Sequence, residues 1–160
     1  AKAHATLGTL CYEAGNLRDA IANYEKAVPC LPEVPPTDVV RFDYGVCLIR
    51  EGRWQQGRTE LAAVIRGYPS GSAAGAAQSL ADWPKDDCAS QCGAFRDRAA
   101  AESRVKSLKK KGVTARVELR SRSNEKLYLV LVGQFNTFDQ AEQSLSAIAG
   151  KVPDAHVAPR

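Results

Sequence analysis

The sequence predicts an α+β protein of two domains. α-Helical hairpin repeats precede a ferredoxin-like, four-stranded antiparallel sheet with two helices on one face. Two duplications and an uneven charge distribution indicate this. Residues 1–69 repeat at an offset of 37 residues, and residues 91–160 repeat at an offset of 40. Residues 1–90 carry 9 Lys and Arg against 11 Asp and Glu, whereas residues 91–160 carry 13 against 7. Such asymmetry is typical of two modules with different partners.

The first duplication predicts two helical hairpins. Each copy contains a helix, a tight turn at Gly15 or Gly52, a second helix, and a proline stop at Pro32 or Pro69. Glycine and proline at these positions are typical helix-ending signals. The alanine-rich stretch 72–83 predicts a further amphipathic helix that caps the pair. We therefore predict that helical repeats and their cap occupy residues 1–84.

This pattern resembles the tetratricopeptide repeat (TPR). The residues that match are Leu7, Gly8, Ala20, Tyr24, Ala27 and Pro32 in the first copy, and Gly45, Leu61 and Pro69 in the second. The resemblance implies a face that binds a protein partner, lined by the first helix of each hairpin. An apolar stripe at spacings of 3, 4 and 3 marks this face on the second copy. It consists of Val39, Phe42, Val46 and Ile49. The alternative is that the stripe packs on neighbouring helices as core.

A short charged stretch follows the helical repeats. It begins Lys85-Asp86-Asp87, and we predict a linker over residues 85–89. A linker of this length does not separate two modules widely. The second predicted domain occupies residues 90–160.

The second duplication predicts two strand–helix–strand units. Hydrophobic alternation and turn residues indicate strands over 90–95, 113–120, 127–132 and 155–158, with a turn at 120–126. Helices are predicted over 98–111, where Gly112 follows, and over 138–150, where Thr137 is the expected N-cap. Two such units form a sheet that leaves one face open.

Alternation along each strand assigns side chains to the two faces of this sheet. The predicted helix-facing set is Ala115, Val117, Leu119, Val130, Val132 and Val157. The predicted set on the open, outer face is Gln91, Arg116, Glu118, Arg120, Leu129, Leu131 and His156.

Two motifs in this region resemble the SPOR (sporulation-related) domain. One is Gln91-Cys92-Gly93-Ala94-Phe95, and the other runs from Tyr128 through Val130, Val132 and Gly133 to Phe135. The resemblance implies a non-catalytic domain that binds peptidoglycan, at glycan strands stripped of stem peptides, through the outer face. It also implies the periplasm or cell envelope of a Gram-negative bacterium. The expected glycan-binding residues are Gln91, Gly93, Arg116, Glu118, Arg120, Leu129, Leu131 and His156.

The residue types suit a sugar polymer, with one exception. Gln91 both donates and accepts hydrogen bonds, and Arg116 and Arg120 present planar multi-donor groups. A glycine such as Gly93 lets a ligand approach the backbone closely. Leu129 and Leu131, however, are aliphatic where many members of the family carry polar groups. The alternative function is therefore a structural subunit of an envelope-spanning or extracellular assembly, whose SPOR-like domain makes protein–protein contacts.

Other classes of function are disfavoured. The sequence contains no Ser/His/Asp set and no phosphate-binding glycine loop, so we do not expect an enzyme. The third strand lacks the outward aromatic residues of an RNA-recognition sheet, and no nucleic acid is expected. We expect no cofactor, no metal and no membrane-spanning segment. The five cysteines allow either up to two disulfides or a set of buried thiols, and an oligomer is possible.

Overall fold

A computed structural model describes residues 1–122 and 125–159 of the chain. It divides the chain into two compact units, which we call the helical unit (Ala1–Asp82) and the sheet unit (Trp83–Arg160). The α+β class predicted from the sequence is confirmed. None of the helices in the described ranges is both long and apolar enough to cross a membrane.

The helical unit consists of two helical hairpins and a short fifth helix. Its elements are α1 (Lys2–Glu13), α2 (Leu17–Ala27), a 3-10 helix (Val28–Cys30), α3 (Thr37–Arg50), α4 (Trp54–Gly67) and α5 (Ala74–Ala81). The turns of the two hairpins contain Gly15 and Gly52, both with positive φ. Helix α5 is shorter than the predicted 72–83, since it ends at Ala81. A proline at position 84 disfavours helical backbone at the residue before it, which is Trp83.

Small residues bring the helices of each hairpin into close contact. In the first hairpin, a Cβ atom on Gly8 would lie 2.6 Å from Cε1 of Tyr24. In the second hairpin, a Cβ atom on Gly57 would lie 2.8 Å from the carbonyl oxygen of Gly45. Tyr24 and Leu61, the large residues at matching positions of the two copies, are fully buried. The duplication therefore repeats a large-on-small packing arrangement in each hairpin.

The sheet unit has the order of elements that the second duplication predicts. They are β1 (Cys88–Phe95), α6 (Arg98–Lys110), β2 (Arg116–Arg122), β3 (Glu125–Phe135), α7 (Phe138–Ile148) and β4 (His156–Ala158). The strand order is β2-β3-β1-β4, and every neighbouring pair is antiparallel. Asp97 caps α6, and Thr137 caps α7 in a capping box with Gln140, as predicted for Thr137.

Several boundaries differ from the prediction. Strand β1 begins at Cys88, inside the segment predicted as a linker, because Cys88 and Ala89 pair with β3 and β4. Strand β2 begins at Arg116 rather than at residue 113. The central hairpin pairs out to Arg122 and Glu125, well inside the turn predicted over 120–126. The residues left for that turn, Ser123 and Asn124, lie outside the described residues.

The core of the sheet unit lies between the sheet and its two helices. Its buried members are Cys92, Ala101, Leu108, Val113, Val130, Val132 and Val152. Ala115, Val117 and Tyr128 pack against this cluster, as expected for the helix-facing side. Leu119 was predicted to join them, but its side chain is exposed, although it pairs with Tyr128. The helix-facing core ends before it reaches the tip of the central hairpin.

Candidate functional site

The predicted outer face exists as a continuous row across all four strands. Arg116 of β2 pairs with Leu131 of β3, Leu131 pairs with Gln91 of β1, and Gln91 pairs with His156 of β4. A second row pairs Glu118 with Leu129, and Leu129 with Ala94. The neighbours of these residues along the strands belong to the helix-facing core, so side-chain alternation places both rows on the opposite face. Register thus brings six of the eight predicted site residues into these two rows.

The β1–β4 side of the outer face is the accessible side. Gln91 and His156 lie directly opposite each other and are partly exposed, and Ala94 is exposed. Directly opposed side chains in an antiparallel sheet have Cβ atoms about 4.5–5.5 Å apart. This cross-strand pair therefore places an amide and an imidazole side by side on the outer face.

The two leucines of the outer face are not accessible. The exposed fractions of Leu129 and Leu131 are only 3% and 1%. The prediction that these two leucines contribute surface to a glycan site is therefore wrong. Their burial is favourable because removing an aliphatic side chain from water lowers the free energy of the folded protein.

The β2 side of the outer face is contacted by the first five residues of the sheet unit, which we call the 83–87 segment. It makes three contacts to alternate residues of β2. Asp87 Oδ2 lies 4.0 Å from Arg116 Nη2, Lys85 Nζ lies 3.1 Å from Glu118 Oε1, and the Trp83 ring centroid lies 5.6 Å from Arg120 Cζ. Trp83 is only 2% exposed, and its Nε1 donates a hydrogen bond to the Asp87 carbonyl at 2.8 Å.

Arg116 is held mainly by Glu118 of its own strand and by Gly133 of β3. Its Nε lies 3.3 Å from Glu118 Oε2, and its Nη1 donates a hydrogen bond to the Gly133 carbonyl. Its Nη2 is buried and lacks a hydrogen-bond partner, as does the facing Asp87 Oδ2. A buried charged group without hydrogen bonds costs free energy. Arg116 therefore supports the sheet, and its Nη2 retains unused hydrogen-bonding capacity.

Gly93 has a structural explanation that the sequence prediction missed. Its φ is +149°, a value that favours glycine, and a Cβ atom there would lie 2.7 Å from Cε2 of Phe95. Gly133 and Phe135 of β3 repeat this arrangement 40 residues later, with a φ of +73° at Gly133. The missing side chain therefore makes room for the phenylalanine ring two residues later. Its presence does not require a ligand.

The family comparison matches the region that carries this geometry. The SPOR domain model covers residues 90–158.

Residues 90–158 are a SPOR domain.

SPOR domains are non-catalytic peptidoglycan-binding modules of cell-envelope proteins, and they are associated with cell division. No curated protein and no solved structure matches the chain significantly. The family model gives the TPR-like resemblance of the helical unit no support, because it begins after that unit ends.

In the helical unit, the predicted partner-binding stripe is divided between surface and core. Val39 is 38% exposed, and Phe42 and Val46 are partly exposed. Ile49 is only 4% exposed, and its side chain fills the space over Gly57 of α4. The prediction that Ile49 lines a groove is therefore wrong. Gly57 has no side chain, and the space that this leaves between α3 and α4 is filled by the side chain of Ile49.

A separate groove of about 480 Å³ lies between α1, the loop after the 3-10 helix and the start of α3. Its lining includes Thr6, Thr9, Pro32, Val34 and Val40, and none of the four predicted stripe residues. The first helices of both hairpins border it.

The cysteines of the described residues are all free thiols, and three of them are buried: Cys47, Cys88 and Cys92. Burial raises the pKa of Cys47 to about 12 and raises that of Cys92 in the SPOR domain. Their thiols therefore stay protonated and pack as small apolar groups. Within residues 1–122 and 125–159, no cluster of three or more His, Cys, Asp and Glu side chains could hold a metal ion.

Proposed function

We propose that the SPOR domain binds peptidoglycan glycan strands without stem peptides on its outer face, and that the helical unit binds a protein partner. The proposed location is the periplasm or cell envelope of a Gram-negative bacterium. The observation that carries the glycan proposal is the pairing of Gln91 with His156 on the accessible side of the outer face. We assign first contact with the glycan to these two residues.

The chemistry of this pair suits an amino sugar. The amide of Gln91 offers two donors and an acceptor, and the imidazole of His156 offers a donor, an acceptor and a flat ring. Sugar hydroxyl and acetamido groups need such mixed partners. Muramic acid residues without stem peptides also carry a free lactyl carboxylate. The excess of Lys and Arg over Asp and Glu in residues 91–160 would attract this anionic polymer.

The burial of the two leucines also bears on the alternative function, a structural subunit of an assembly. That alternative needs an aliphatic sheet face that a second subunit can cover. Leu129 and Leu131 are already buried within a single chain, so they leave little apolar area for such an interface. This observation disfavours a subunit interface centred on these two leucines, and it confines the proposed glycan contact to the polar residues of the outer face.

The test is co-sedimentation of the full chain with purified sacculi, before and after an amidase removes the stem peptides. We expect the amidase to increase the bound fraction, and Gln91→Ala or His156→Ala to reduce binding about tenfold, the effect of losing roughly 1.4 kcal/mol of interaction. Gln143→Ala is the matched control, because Gln143 is an exposed glutamine on α7, behind the sheet. Equal pelleting with and without sacculi would contradict the proposal.

The partner proposal rests on the exposed part of the α3 stripe, which is Val39, Phe42 and Val46. A photoreactive amino acid placed at Phe42 should form a discrete crosslinked product in envelope extracts. The same group at Gln55, an exposed residue of α4, is the control. A pattern of products that is the same at both positions would contradict a specific surface on α3.

A further inference from the structure

We propose that the 83–87 segment regulates the glycan site by occupying its β2 side, so that a bound glycan strand must displace it to reach the full width of the sheet. This inference rests on the proposed function, and it assigns the regulation of that same surface to a named piece of the chain.

The contacts of the segment follow a regular pattern. Positions 87, 85 and 83 contact positions 116, 118 and 120 of β2, in that order. The segment therefore runs in the direction opposite to β2, with every second residue in contact with the strand, although its backbone bends at residues 84–86. The intervening residues, Pro84 and Asp86, are exposed. This two-residue periodicity indicates a specific docking arrangement along the outer face.

The residues that the segment contacts are the β2 members of the predicted glycan site. Strand alternation predicts that three side chains of β2 point outward: Arg116, Glu118 and Arg120. Each of them contacts one residue of the segment. A glycan strand therefore cannot use these side chains while the segment is in place. Gln91 and His156 lie on the other side of the sheet, in β1 and β4.

The two ion pairs of the segment are weak, whereas Trp83 is buried and contributes most of its packing. The Lys85–Glu118 pair is partly exposed, since the Lys85 side chain is 48% accessible, and exposed ion pairs stabilise little. The Asp87–Arg116 pair is separated by 4.0 Å, and its two facing atoms are buried without a hydrogen bond. A ligand oxygen that reached Arg116 Nη2 would provide the hydrogen bond that Asp87 does not.

Displacement has a measurable consequence for affinity. When only a fraction of molecules has the β2 side open, the apparent dissociation constant for a ligand that needs this side is raised by the inverse of that fraction. Loosening the segment should therefore tighten glycan binding. Replacing a lysine of the segment makes the test sharper. The loss of its positive charge by itself weakens the binding of an anionic glycan, so tighter binding would have to come from the loosened segment.

The first test is the affinity of full-length Lys85→Glu for soluble glycan strands without stem peptides. This change sets a second carboxylate beside Glu118 and repels the segment. We expect binding at least threefold tighter than that of Lys106→Glu, which makes the same charge change at an exposed position of α6 behind the sheet. Lys85→Arg keeps the ion pair and should bind as the unchanged protein does. Equal or weaker binding of Lys85→Glu than of Lys106→Glu would overturn the proposal.

The second test observes the segment directly. The chain contains two tryptophans, so Trp54→Phe leaves Trp83 as the sole indole. Saturating glycan should raise the acrylamide quenching of Trp83 and shift its emission to longer wavelength. If glycan binds and Trp83 stays protected, the regulatory role is wrong and the glycan function stands. If neither the unchanged protein nor Lys85→Glu binds glycan, the proposed function itself fails.

Discussion

Gly8 of α1 lies directly against the ring of Tyr24 of α2, so that a Cβ atom at position 8 would be 2.6 Å from Cε1. The ring is fully buried, and its hydroxyl donates a hydrogen bond to Thr9 at 3.2 Å. The ring is therefore held from two sides and has little room to move. The first helical hairpin depends on this contact of a large residue with a small one.

We expect Gly8→Ala to destabilise the helical unit by about 1–2 kcal/mol. Overpacking a filled core costs about 1–3 kcal/mol, and the better helix propensity of alanine returns up to about 1 kcal/mol. Urea unfolding followed by the fluorescence of Trp54, which belongs to this unit, measures the change. Gly75→Ala is the control, since no atom lies within 4 Å of a Cβ there. It should leave stability unchanged or raise it, and an equal loss in both variants would contradict the packing argument.

Asp43 of α3 should make the stability of the helical unit depend on pH. Burial, and then the nearby Glu13, raise the pKa of Asp43 from 3.8 to about 6. The folded state therefore disfavours the ionised carboxylate. The stabilising contribution of the protonated group is complete below about pH 3.8, and it is lost as the pH rises through about 6.

Asp43→Asn should consequently raise the stability of the helical unit at pH 8 by about 1 kcal/mol, a value reduced for solvent screening of a partly exposed group. The gain should shrink toward zero near pH 4. Thermal unfolding of both proteins at several pH values measures it. Glu33→Gln, which removes an exposed carboxylate from the same unit, controls for the change in charge. A gain that is constant from pH 4 to pH 8 would rule out Asp43 as its source.

Gly93 should be required for folding rather than for contact with a glycan. Gly93→Ala forces a residue with a side chain into a φ of +149° and against the ring of Phe95. Such backbone strain costs about 1–3 kcal/mol, so we expect a loss of about 2 kcal/mol or more in the sheet unit. Unfolding followed by Trp83 fluorescence measures it. Gly150→Ala, where nothing lies within 4 Å of a Cβ, should be tolerated. Full stability of Gly93→Ala with weakened glycan binding would instead favour a ligand role.

The two duplications made much of this fold predictable from the sequence. Apolar residues that recur with period 2 or period 3.6 indicate the strands, the helices and their faces. This is why the sequence correctly predicts that Val130 and Val132 face the helices. Thr137 followed by Gln140 is a local capping signal that depends on no distant residue. Features of this kind depend only on the chain within a few residues.

Features that depend on pairing between distant segments were not predictable. Residues 85–89 are polar enough to resemble a linker, yet Lys85 and Asp87 face specific residues of β2, and Cys88 and Ala89 belong to β1. No local pattern reveals which strand an extended segment will meet. For the same reason, Leu129 and Leu131 were assigned to the correct face, but their burial was not anticipated.

The apolar stripe of α3 gives a prediction that separates core from surface. Ile49 fills the space over Gly57, whereas Val39 is 38% exposed and Phe42 is partly exposed. Ile49→Ala should destabilise the helical unit by about 2–4 kcal/mol, as expected for a buried isoleucine. Val39→Ala should cost no more than about 0.5 kcal/mol, as is usual for surface substitutions.

Partner binding should show the opposite order. Phe42→Ala and Val39→Ala should reduce the crosslinked product that the α3 surface forms in envelope extracts, measured at a temperature where both variants are folded. Ile49→Val, which keeps most of the core volume, should leave that product unchanged because Ile49 has almost no accessible surface. Loss of the product in Ile49→Val but not in Val39→Ala would mean that the partner does not bind the exposed part of the stripe.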